Sequence, residues 1–192
     1  MSRRSRTLQL ATVAVVLVVT TAVLPGCGSN NYRVYNGHGV SFHYPRDWRT
    51  LTSNGINAQS SSGLWTEMFG PNASGSTADI VFMTEFRTSV PVTDKNLAAS
   101  AGSVTASVAR VAQAAGGALL AGPTEMKMGG LPGYGFRMRA ITSRGRKSAS
   151  RLVIVWNGKT EYFLNCQHLV SGTREKEIER GCKMIVASFK LG

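Results

Sequence analysis

Acidic side chains are scarce in this 192-residue chain. Ten Asp and Glu stand against 22 Lys and Arg, for a net charge of +12. Asp47, Asp79 and Asp94 are the only aspartates, and each is isolated. Glu175, Glu177 and Glu179 lie among Arg174, Lys176 and Arg180, which reads as a solvated charged helix face rather than an acid/base pair. The chain also lacks a His-Glu-x-x-His pair, a Gly-x-Ser-x-Gly elbow, a Ser-x-x-Lys motif and a Walker loop. Gly130–Gly135 has the look of a phosphate loop, but it opens no helix and its Pro132 removes an N–H donor, so it reads as a hairpin turn. Histidines number three, His38, His43 and His168. A metal site built from His38, His43 and Asp47 is the only one worth weighing, and surface polar residues are the preferred reading. These absences argue against an enzyme and imply no metal or other cofactor.

A membrane-spanning run is missing as well. The one long apolar stretch, Leu8–Leu24, would span roughly 25 Å as a helix, short of the ~30 Å hydrocarbon core. It follows Arg3, Arg4 and Arg6 and leads to Leu24-Pro25-Gly26-Cys27. A basic start, an apolar region and small residues before a cut are the layout of a secretory signal. Leu, two compact positions and Cys resemble the lipobox of bacterial lipoproteins, with Pro25 where Ala, Ser or Thr is commoner. That resemblance implies removal of residues 1–26 and lipidation of Cys27. It places the protein on the extracytoplasmic face of a cell membrane, held by its lipid.

Removing the leader leaves 166 residues, enough for one domain with a real core. The leader carries three of the basic residues and no acidic one, so nineteen bases face ten acids, a net +9. A surplus of that size favours polyanions. For an exported protein these are an anionic leaflet or an acidic wall polymer rather than nucleic acid; an envelope protein is a further candidate partner. Residues 27–31 form a linker reaching only about 15–20 Å, so the domain at 32–192 sits close to the membrane.

Along the domain, Tyr32–Tyr35 and Val40–Tyr44 read as a hairpin around Asn36–Gly39. Leu64–Phe69 and Ile80–Phe86 read as further strands. Residues 94–115 switch to helical spacing, with Leu97, Ala101, Val104, Val108, Val111 and Ala115 on one stripe and Thr93 or Asp94 as N-cap. Strands return from Ala118. Tyr134, Phe136, Met138 and Ala140 alternate on one run, Leu152, Ile154 and Trp156 on the next, and Tyr162, Leu164 and Cys166 on a third. Asn157-Gly158 between the last two predicts a type I′ turn in a three-stranded meander. Thr173 is the expected cap of a last helix, whose face carries Ile178, Cys182, Ile185, Val186 and Phe189.

Cys166 on an inward strand face and Cys182 on a buried helix stripe predict a disulfide in an oxidising compartment. Arg137, Arg139, Arg144, Arg146, Lys147 and Arg151 fall within fifteen acid-free residues. They form a candidate anion- or membrane-facing patch, against the plainer reading of a solvated sheet face.

The run Gly39-Val40-Ser41-Phe42-His43-Tyr44-Pro45-Arg46-Asp47-Trp48, with Val186-Ala187-Ser188-Phe189 at the far end, resembles PsbP-like domains. That family includes the extrinsic PsbP protein of photosystem II and LpqN-type lipoproteins of actinobacteria. The resemblance implies an α+β fold, an antiparallel sheet flanked by helices as an α/β/α sandwich, and a binding or assembly role without mapped catalytic residues. The leading expectation is therefore a non-enzymatic, membrane-anchored envelope module that binds or scaffolds a partner. The alternative is a carrier of an apolar ligand or lipid; a metal-binding or enzymatic domain stands third. A large apolar pocket between helix and sheet would favour the carrier, and a filled core the scaffold.

Overall fold

Alternating apolar residues from Tyr32 to Tyr44 fold at His38-Gly39, where both residues take positive φ (53° and 71°). This two-residue loop joins β1 (Tyr32–Gly37) and β2 (Val40–Pro45), with Gly37 opposite Val40. It has the positive φ at both positions that a type I′ turn requires. The computed structural model describes residues 31–51, 63–71, 78–142 and 144–192. The expected leader, the lipobox-like run with Cys27, and Ser143 of the basic tip lie outside them.

The chain continues through β3 (Trp48–Thr50), β4 (Gly63–Pro71) and β5 (Ile80–Val92) into α1 (Leu97–Ala114). Then come β6 (Ala118–Met128), β7 (Leu131–Ile141) and β8 (Lys147–Leu169), followed by α2 (Glu175–Ser188) and β9 (Lys190–Leu191). The sequence suggested one sheet; the described residues form two. The larger runs β3-β4-β5-β8-β7-β6, all antiparallel, and the smaller β1-β2-β9. β9 is too short to stand out in the sequence and is recruited by β2 through Val40↔Leu191 and Ser41↔Lys190.

β8 is itself bent double. Its first half pairs with β7 and its second with β5, and the Val170 N–H donates to the Lys147 carbonyl at 3.0 Å, bringing its two ends together. The fold-back comes at Gly158, centred slightly beyond the expected Asn157-Gly158 pair, and with β7 it makes the expected meander. The turn type differs: Gly158 has φ 61° but Asn157 keeps a negative φ, so this is not a type I′ turn.

The two helices lie on opposite faces of the large sheet, which makes the α/β/α sandwich. α1 packs on β6 and β7, where Leu97, Val108 and Ala112 meet Tyr134, Phe136, Met138, Leu152, Ile154 and Trp156. α2 packs on β2 and β8, where Ile178, Cys182 and Ile185 meet Val40, Phe42, Trp48, Val153, Val155, Leu164 and Cys166. The strand residues that read as one inward set therefore divide. Leu152, Ile154 and Trp156 point to α1, while Tyr162, Leu164 and Cys166 point to α2. Cys166 and Cys182 are disulfide-bonded with Cα atoms 6.0 Å apart, which ties α2 to the sheet.

Both helix starts fall later than expected. The N-cap of α1 is Asn96 rather than Thr93 or Asp94, and its side chain turns back to accept the Thr93 N–H at 2.7 Å while donating to the Pro91 carbonyl at 2.8 Å. α2 is capped by Arg174, not Thr173, with no side-chain bond at the cap. Its Glu175 and Glu177 do occupy the first turn, where the helix dipole favours them.

An apolar cleft beneath the first helix

Small residues let α1 approach the sheet closely, but only over β6 and β7. Beside it, above β8 and β5, the sheet face is left open as a cleft of about 650 Å³, a volume within the range of small-molecule sites. Val104, Val108 and Val111 form its roof, with Ser103 and Ser107 between them. Leu152, Ile154, Trp156 and Phe163 form the floor, and Phe86, Val90, Pro91 and Val92 the far wall. Val111 was expected on the buried stripe. It is instead 56% exposed, and Ala112 takes the buried position. Val90 is 64% exposed on the opposite lip.

The polar groups of this cleft are few and mostly committed. Ser100 donates to the Leu97 carbonyl at 2.7 Å and Ser103 to the Ser100 carbonyl at 2.9 Å. Thr88 donates to the Val90 carbonyl at 2.9 Å. Among the described residues the one charged group in the lining is Glu161. It stands opposite Phe86 in the β5–β8 register, and its Oε2 accepts the Trp156 indole N–H at 3.0 Å. Desolvation pushes the Glu161 carboxyl above the usual range, against the lowering effect of the Trp156 bond. No Lys, Arg or His lines the cleft among the described residues.

Nothing in the residue pattern singled out Glu161 as a site residue. The available signal was Phe163, an apolar residue on the strand face opposite Tyr162 and Leu164, which marks that face as covered too. Glu161 shares that face.

The predicted basic residues come together only in part. Arg137 and Arg151 are direct cross-strand partners on the α2 side of the sheet, an arrangement of like charges that is unfavourable unless compensated. Arg139 shares that side of β7, and Arg144, Arg146 and Lys147 are exposed at the β7–β8 tip. The patch is acid-free along the chain but not in space. Glu179 approaches Arg151 at 4.0 Å, and Glu175 and Glu179 line a second cleft of about 500 Å³ with Arg137 and Arg151. Nor is the glutamate face of α2 simply solvated. Glu177 accepts from the Trp48 indole and from Arg174, each at 3.3 Å.

His38 and His43 take separate partners. His38 stacks on Trp65 with centroids 4.9 Å apart and lies 3.7 Å from Glu67, whereas His43 stacks on Tyr32 at 4.0 Å. Among the described residues no three His, Cys, Asp or Glu groups gather to hold a metal ion. Burial, with Glu67 adding to it, pushes Tyr35 up to about 12. None of the described helices is long and apolar enough to cross a membrane.

No protein-family model matches the sequence, and no curated protein does either. Solved structures do match. The LpqN protein of Mycobacterium tuberculosis, described as involved in cell envelope biogenesis, has a TM-score of 0.48 at 11% identity, over 85% of this chain and 92% of that one. A protein of Bacteroides thetaiotaomicron VPI-5482 has a TM-score of 0.46 at 13% identity over 84% of this chain, which spans about half of it (48%). The cyanobacterial PsbP protein (CyanoP) of Synechocystis sp. PCC 6803 has a TM-score of 0.58 at 14% identity, over 90% of this chain and 99% of that one. That last likeness is one of architecture, and by it the chain has a PsbP-like fold.

Proposed function

We propose that this protein is a non-enzymatic, extracytoplasmic binding module that takes an apolar ligand into the cleft between α1 and the β5–β8 face. The observation that carries this reading is the cleft itself, roofed and floored by Val, Leu, Ile, Phe and Trp side chains. Each methylene moved from water into such a site contributes about 0.8 kcal/mol. A filled space here would have favoured a pure scaffold. The reading keeps Cys27 as the lipid attachment point and turns the basic residues of the β7–β8 tip towards an anionic leaflet or wall polymer.

A neutral dodecyl probe with a terminal hydroxyl and a diazirine on its chain tests the site. On photolysis with the full chain, cross-links are expected on peptides from α1 and β8. Val104→Trp, which places its ring in the open cleft, should reduce them about tenfold. Cross-links scattered over the surface, or unchanged in Val104→Trp, would remove the cleft as the binding site.

A further inference from the structure

A cleft of this kind on a strongly basic protein invites the expectation of a fatty acid or another anionic amphiphile. Its own chemistry argues the opposite. Anionic heads are held by Arg, Lys or helix N-terminal N–H groups, and no basic side chain lines this cleft among the described residues. The single charge in it is the carboxylate of Glu161. One oxygen, Oε2, is engaged by the Trp156 indole at 3.0 Å, which fixes the carboxylate in place and leaves Oε1 for a ligand.

The surroundings of that carboxylate are aromatic. Phe86 is the cross-strand partner of Glu161, and Phe86 and Phe163 meet edge to face with centroids 6.3 Å apart. Trp156 completes the group from the other half of β8. Aromatic rings gathered around a carboxylate in an apolar, partly desolvated site are the combination that stabilises an organic cation, through charge attraction and through the ring quadrupoles together. An anionic head would meet the like charge of Glu161 and no compensating donor except backbone.

We propose that the cleft selects an amphiphilic cation, with an apolar body lying along Val104, Val108 and Ile154 and an ammonium head against Glu161, Trp156 and Phe86. This deepens the apolar-ligand reading and rests on it. It also accounts for a carboxylate kept where burial disfavours its charged form, since a bound ammonium supplies the missing counter-charge.

Three dodecyl probes carrying the same diazirine test it, headed by trimethylammonium, hydroxyl and sulfate. They are applied to the full chain in phosphatidylcholine nanodiscs, so that bilayer charge does not bias their local concentration. The ammonium probe is expected to label the α1 and β8 peptides at least tenfold more than the sulfate probe. Glu161→Gln should abolish that preference, while labelling by the hydroxyl probe persists and shows the cleft still formed. Sulfate labelling equal to ammonium labelling, or a preference that survives Glu161→Gln, would overturn the cation assignment. Hydroxyl labelling without ammonium labelling would overturn it while leaving the apolar site standing. Labelling by none of the three would end both readings.

Discussion

The Trp156 indole reaches across the β8 fold-back to Glu161, five residues on, and holds its carboxylate at 3.0 Å in the floor of the cleft. Burial raises the carboxyl above its ordinary range more than this bond lowers it. The folded chain therefore binds the proton more readily than the unfolded chain. Stability from this group is fully present below the ordinary Glu value and is lost as pH rises through the raised one. Glu161→Gln should remove that dependence and stabilise the protein at neutral pH, by on the order of 0.5 kcal/mol. Denaturant unfolding of both proteins across pH 4 to 8 checks it; parallel profiles would contradict it.

Gly181 faces the Trp48 ring, and a β-carbon at that position would collide with it. Trp48 is fully buried and cannot swing out without opening the α2 core. Gly181→Ala is expected to cost about 1–3 kcal/mol. Shrinking the ring with Trp48→Phe should recover part of the loss, a coupling that a double-mutant cycle measures directly.

The Cys166–Cys182 bridge closes a short loop, with the cysteines 16 residues apart. Replacing both by Ala should lower stability by about 3 kcal/mol on the chain-entropy account. Peptide mass spectrometry without reduction should recover the linked pair, and titration of two free thiols in the untreated protein would show the bridge does not form.

Lipidation at Cys27 is expected from the lipobox. Cys27→Ser should leave the precursor uncleaved by lipoprotein signal peptidase and unlabelled by a fatty-acid analogue. Equal labelling of the variant would refute the assignment.

Arg144, Arg146 and Lys147 are exposed at the β7–β8 tip, and near an anionic surface each contributes on the order of 1 kcal/mol over a screening length of ~8 Å. The chain made without residues 1–27 should bind anionic vesicles, release as salt rises, and bind less tightly with all three changed to Ser. Flotation assays separate this from a solvated sheet edge, which would show equal binding to neutral vesicles.

The order of elements was readable because period-two and helical spacings in this chain are clean. The meander from Tyr134 to Cys166 and the bridge to Cys182 followed from them. What escaped the sequence follows from one feature, a sheet covered on both faces. Val153 and Val155 fill the gaps between Leu152, Ile154 and Trp156, and Phe163 sits between Tyr162 and Leu164. With apolar residues on both sides, alternation alone does not say which side carries which helix. The cleft was hidden for a related reason, since the width of sheet that α1 leaves bare depends on its lateral position, which spacing along a helix does not encode. The type I′ geometry falls at His38-Gly39 and not at Asn157-Gly158 because the local signal names residues able to take positive φ, while strand register decides where both do.

β9 lies beside β2, and the Gly192 N–H donates to the Gly39 carbonyl at 2.8 Å. Phe189, just before it, is buried against Tyr162. The first hairpin of the domain thus finds its third strand only when residues some 150 positions later have arrived. Such distant pairing is slow to form and cannot precede synthesis of the last elements. Until those residues dock, the β2 edge stays unpaired and the small sheet remains a bare hairpin, so its completion rests on the last few residues of the domain.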